Sequence, residues 1–120
     1  MDKSKVVIRS VKEMTLDEAI ASVFERCGVE RSVSRDTKVL IKPNLCTERP
    51  EMIHTANTSL ALIESVVKRL RDITPNVTIC ESDGARYTVE QAYETNGING
   101  LVKRYGVRAV NFSTLEDQVW

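Results

Sequence analysis

The chain has 120 residues, 42% hydrophobic and 28% charged, with 17 basic and 17 acidic residues that cancel to a formal net charge of zero. Such a size and composition describe one globular domain that can bury a single core. The absence of a basic field and an aromatic content of 5% exclude charge-driven binding to nucleic acid or anionic membrane, and a base-stacking platform.

Residues 5–9, KVVIR, predict a short strand, because a β-branched run is bounded by charge. Thr15 and Glu18 then stand at capping-box spacing. Leu16, Ala19, Ile20, Val23, Phe24 and Cys27 follow as one apolar helical stripe, and Gly28 stops it. Residues 38–42 predict the second strand, and residues 58–73 the second helix, with Leu60, Ile63, Val67 and Leu70 on its inner face. Pro75 closes that helix. The third strand lies within residues 76–84, NVTICESDG, and ends in a polar turn. Thr88 and Gln91 form a second capping box. The helix they open is broken at Asn96-Gly97, resumes through Leu101, Val102 and Tyr105, and stops at Gly106. Residues 107–112, VRAVNF, predict the fourth strand.

The order is β-α-β-α-β-α-β. Connections that contain helices make neighbouring strands parallel, with right-handed crossovers. The expected fold is therefore α/β. It is a single domain over residues 1–120, with an open, mainly parallel sheet of about four strands in a Rossmann-like three-layer arrangement.

Ligands of open parallel sheets collect beyond the carboxyl ends of the strands. The second strand delivers Lys42, Pro43, Asn44 and Cys46 there, and the third delivers Glu81, Ser82, Asp83 and Gly84. The long loop between them carries the one histidine, His54, and Thr55. Pro43 holds Lys42 extended and ends the ladder, which places an ammonium at the strand tip. Lys42 reads either as a binding residue or as a snorkelling strand stop. Glu81 and Asp83 read either as cation ligands and acid–base groups or as turn formers, with Glu81 paired to Lys42. Ser82 and Gly84 can join the amides near Thr88 as a phosphate cradle, but no glycine-rich phosphate motif is present. His54 has no second ligand at metal spacing; it reads as a proton carrier or a solvated loop residue. Cys46 is either reactive beside Lys42 or a small hydrophobe of the turn, while Cys80 belongs to the core.

The three cysteines, Cys27, Cys46 and Cys80, are widely spaced and form no CxxC pair. No stretch is long and apolar enough to span a bilayer, and residues 1–5 lead into a strand rather than a signal-peptide core. The expected location is the cytoplasm, with thiols reduced. The Asn-x-Ser/Thr sequences at Asn57, Asn76 and Asn111 are then chance matches.

The segments VLIKPNLC, HTANTSLALIESVVKRL and VTICESDG, followed by GINGLVKRYGVRAVNF, resemble the family known as domain of unknown function 362. The similarity covers most of the chain and matches Lys42, Pro43 and Asn44, His54 with Thr55, and Glu81, Ser82 and Gly84 to the family's strand-tip motifs. It implies the N-terminal part of a longer α/β domain, in a family whose activity is not defined. Iron–sulphur modules fused to some members imply a redox setting. This chain has no such cysteine motif, so no cofactor is carried over.

Two functions remain open. One is a site for a small polar or anionic ligand built from Lys42, Asn44, His54, Thr55, Glu81, Ser82, Asp83 and Gly84. The other is a non-catalytic module that completes its sheet by homo-oligomerisation or by pairing with a partner chain. Open sheet edges and an exposed Trp120 argue for the second. A signalling receiver is excluded, because the first predicted strand ends in Arg9-Ser10 and not in an acidic pair.

Overall fold

The computed structural model describes residues 4–114. Local chemistry starts and stops its helices. Thr15 caps α1 (Leu16–Cys27): the Glu18 amide donates to the Thr15 hydroxyl, and the Glu18 carboxylate accepts from the Thr15 amide. Gly28 ends α1 at φ 74°, a left-handed conformation that costs glycine nothing. One further turn, α2 (Val29–Ser32), leads to β1 (Val39–Ile41). The long loop after β1 contains a short α3 (Ile53–Ala56) and ends at Ser59, which caps α4 (Leu60–Arg71). Then come β2 (Val77–Glu81), α5 (Val89–Thr95) capped by Thr88, α6 (Ile98–Tyr105), β3 (Arg108–Asn111) and a 3₁₀ turn (Phe112–Thr114). The expected break at Asn96-Gly97 separates α5 from α6, with Gly97 at φ 78°.

The strands form one open parallel sheet in the order β1-β2-β3, with Ile41 beside Ile79 and Ile79 beside Ala109. This is a mixed α/β fold. The core brings Ile63, Val67 and Leu70 of α4, Ala92 and Tyr93 of α5, and Leu101 of α6 onto Val77 and Ile79. Because paired residues of parallel strands share a face, Val39, Ile41 and Ala109 join that side. Leu40, Thr78, Arg108 and Val110 point to the other face, where Leu40 is 53% exposed. Both crossovers step in the same direction along the sheet. Right-handed connections then lay the helices of both crossovers on one side. The four-strand, three-layer Rossmann-like arrangement expected from the sequence is not what the described residues form.

Residues 5–9 are the missing strand. Lys5 Nζ donates to the Arg26 carbonyl at 3.2 Å, and Arg9 Nε donates to Ser22 Oγ at 2.7 Å. The segment therefore follows α1 and leaves Val6 and Ile8 more than 80% exposed, at 81% and 83%. β-propensity alone does not make a strand; a ladder partner does. Trp120 lies outside the described residues. No helix among the described residues is long and apolar enough to cross a membrane.

Candidate functional site

The ladder stops where Pro43 removes a donor, and the chain leaves β1 with Lys42 at its tip. Lys42 Nζ stands 3.0 Å from Glu81 Oε1 and 3.2 Å from Oε2, joining the tips of two neighbouring strands. The pair is lopsided: the Lys42 side chain is 58% exposed and that of Glu81 only 9%. Glu81 Oε1 also accepts from the Ser82 amide at 3.0 Å. Lys42, Glu81 and Ser82 thus form one contiguous polar group.

Asp83 is held differently. Its Oδ1 accepts from the Val89 amide at 2.9 Å and from Asn111 Nδ2 at 2.8 Å, and its own amide donates to Ser113 Oγ. The carboxylate fastens the β2 tip to the start of α5, where the helix dipole favours it, and to the end of β3. Gly84 is needed for close approach. A Cβ there would lie 2.2 Å from Tyr87 Cε1. With no side chain in the way, the Tyr87 hydroxyl donates to the Leu45 carbonyl at 2.7 Å and bridges the loops after β2 and β1. Burial raises the Tyr87 phenol above its ordinary range, and the charges of Cys46, Glu81 and Glu48 add to the shift, so it stays a donor at neutral pH.

The loop after β1 is fixed by side-chain amides. Asn44 Nδ2 donates to the Ala56 carbonyl at 2.9 Å. Asn57 Oδ1 accepts from the amides of Cys46 and Thr47, at 2.8 and 3.2 Å. Its Nδ2 donates to the Thr47 carbonyl at 2.7 Å and to Asn96 Oδ1 at 2.8 Å. Asn96 and Thr47 are buried, and Asn96 also donates to the Ala92 carbonyl. From sequence, Asn57 is a chance sequon and Asn96 part of a helix break. Only a count of acceptors across the folded loop identifies them.

His54 and Thr55 sit on α3, on a different side of this loop. The Thr55 hydroxyl donates to the Met52 carbonyl, and His54 lines a depression of about 430 Å³ with Thr58, Ser59, Asn96 and Gly97. Neither Lys42 nor Glu81, Ser82 or Asp83 lines it. A second depression, of about 480 Å³, opens between the loops after β1 and β2. Its walls include Cys46, Thr47, Arg49, Met52 and Ala56 from one loop and Gly84, Arg86 and Tyr87 from the other. Sequence reasoning missed both arginines, since charged loop residues are ordinarily solvated. Across the described residues the strand order does not reverse, so no switch-point crevice opens there.

Burial, reinforced by the Glu81 charge, pushes the Cys80 thiol up to about 11. No group of three or more His, Cys, Asp or Glu among the described residues is placed to hold a metal ion. In comparisons with known proteins, the family model for a domain of unknown function (DUF362) matches residues 39–119. No curated protein and no solved structure matches the chain.

Proposed function

The chain belongs to the DUF362 family, and from that premise we propose that the domain binds a small polar or anionic ligand at the carboxyl ends of β1 and β2. The observation that carries this reading is the Lys42–Glu81 pair. A mostly wet ammonium is anchored by a mostly dry carboxylate on two adjacent strand tips. Strand ends position a charge more firmly than a free loop does. Asn44 holds the loop above, Ser82 adds a hydroxyl, and Asp83 with Gly84 sets the turn that closes the other side. His54 and Thr55 stay outside the proposed site, because His54 lines the depression at the start of α4.

Titration with pyrophosphate and citrate by calorimetry tests the reading. Lys42→Ala should abolish binding while the fold persists. If neither anion binds the native chain, or if Lys42→Ala binds both unchanged, the reading fails.

A second reading, a module that completes its sheet with a second copy or a partner chain, is favoured by one observation. Parallel sheets are ordinarily covered on both faces, yet Leu40 is 53% exposed on the face away from the core. Sedimentation across a wide concentration range, with Leu40→Asp as the control, separates a self-associating chain from a monomer.

A further inference from the structure

We propose that Arg49 and Arg86 form a two-sided oxyanion clamp in the depression between the loops after β1 and β2, for a ligand that carries one phosphate or carboxylate on a flat apolar body. The inference rests on the reading that the carboxyl edge binds an anion, and it names the ligand class and the residues that select it.

Three observations converge. The first is charge. The four ion pairs of the described residues engage Lys42, Lys68, Arg69 and Arg104, and neither Arg49 nor Arg86 takes part in one. No side-chain hydrogen bond satisfies either guanidinium within the described residues. Glu48 is the one carboxylate in the lining, so the cations outnumber the acids by one. A single anionic group matches that excess.

The second is rigidity. The two arginines come from loops that side chains lock in place. Tyr87 bridges them through the Leu45 carbonyl, over a turn that only Gly84 admits. Arg49 follows Thr47, whose backbone amide and carbonyl are both engaged by Asn57. A clamp whose two jaws are already ordered loses less entropy on binding.

The third is lining and size. Met52, Ala56, Ala85 and the Tyr87 ring supply apolar wall. The depression, about 480 Å³, falls within the range of small-molecule sites. Arginine suits the task, because its planar fork meets an oxyanion with two parallel hydrogen bonds, which lysine cannot do.

The test titrates phenyl phosphate, benzoate and inorganic phosphate into the native chain and into Arg49→Gln, Arg86→Gln, Arg86→Lys and Lys42→Ala. Chemical shifts of the amides at residues 46–49 and 84–87 locate the bound probe. One or both aromatic anions should bind more tightly than inorganic phosphate, and the better one identifies the head group. Each Arg→Gln change should weaken binding by about tenfold or more, and Arg86→Lys should restore only part of it. Thermal midpoints should not move, since both arginines are exposed. If Lys42→Ala abolishes binding while both Arg→Gln variants bind normally, the clamp is wrong and the strand-tip reading survives. If none of the three probes, nor pyrophosphate or citrate, binds at about 10 mM, both fail. Inorganic phosphate binding as tightly as phenyl phosphate overturns the apolar half of the proposal.

Discussion

Asn57 Nδ2 donates to Asn96 Oδ1 at 2.8 Å, and this bond ties the loop leaving β1 to the break between α5 and α6. Asn96 is 8% exposed and Thr47, a second partner of Asn57, is 7% exposed, so neither can turn to bulk water if Asn57 is lost. Buried polar groups left without partners cost more than an average hydrogen bond returns. Asn57→Ala should therefore destabilise the fold by about 3 kcal/mol. Asn57→Asp should cost a similar amount, because it sets a carboxylate oxygen against the Thr47 carbonyl. Urea denaturation checks both, and unchanged midpoints would show that the network does not hold the loop.

The lopsided burial of Lys42 and Glu81 predicts unequal effects from removing either partner. Lys42→Met strands a carboxylate that is only 9% exposed, whereas Glu81→Gln frees an ammonium that is already 58% exposed and keeps an acceptor for the Ser82 amide. An exposed ion pair contributes about 0–1 kcal/mol. We expect Glu81→Gln to stay within that range and Lys42→Met to cost about 2 kcal/mol, since it leaves a mostly buried acceptor unpaired. Equal losses in chemical denaturation would contradict the asymmetry.

The three thiols should differ in reactivity. Cys27 and Cys46 are exposed, whereas Cys80 is fully buried and its thiol is pushed up to about 11. A thiolate is the reactive form. At pH 8 a chromogenic disulfide reagent should label two thiols in the native chain and the third only after unfolding. Rapid labelling of all three without denaturant would mean that the sheet opens readily around β2.

Three carboxylates, Asp17, Glu18 and Glu64, are held below their ordinary values, and two of them join distant elements. The Lys68 ammonium and the Ser65 hydroxyl hold Asp17 below its ordinary 3.8, and the Tyr105 hydroxyl with Arg104 holds Glu64 below 4.5. Each binds fewer protons when folded than when unfolded. The stability they contribute is thus complete above those ordinary values and is lost as pH falls through the lower folded ones. Thermal midpoints should drop as pH falls below the ordinary values of 4.5 and 3.8. Asp17→Asn combined with Glu64→Gln should flatten that drop. A double variant with the native pH profile would assign the effect to other groups.

The chain's local chemistry was legible before folding was considered. Thr15 with Glu18 and Thr88 with Gln91 stand three residues apart, so their capping boxes need only a helix to form between them. Gly28, Gly97 and Gly106 mark left-handed stops for the same reason. Strand–helix alternation predicted the parallel sheet, whereas the pairing of Lys42 with Glu81 stood as one of two readings until β1 and β2 proved to be neighbours. Sequence also marked β1, β2 and β3 through their apolar runs. It misjudged residues 5–9, whose run is as β-branched as that of β2. Whether such a run becomes a strand depends on a free ladder edge, and here Lys5 and Arg9 find acceptors on α1 instead.

What tertiary structure alone decided are the contacts that join distant residues. The Tyr87 hydroxyl reaches a carbonyl 42 residues away, and Asn57 reaches Asn96 across 39. Neither tyrosine nor asparagine carries a pattern that names its partner, since each bond depends on strand register and on how two loops meet. The same holds for Arg49 and Arg86, which read as ordinary solvated charges until the fold brings their two loops to line one depression. The three-layer arrangement expected from the sequence is likewise not confirmed among the described residues. Alternation specifies parallel strands, but the direction in which each crossover steps determines the face its helix covers, and here both steps run the same way.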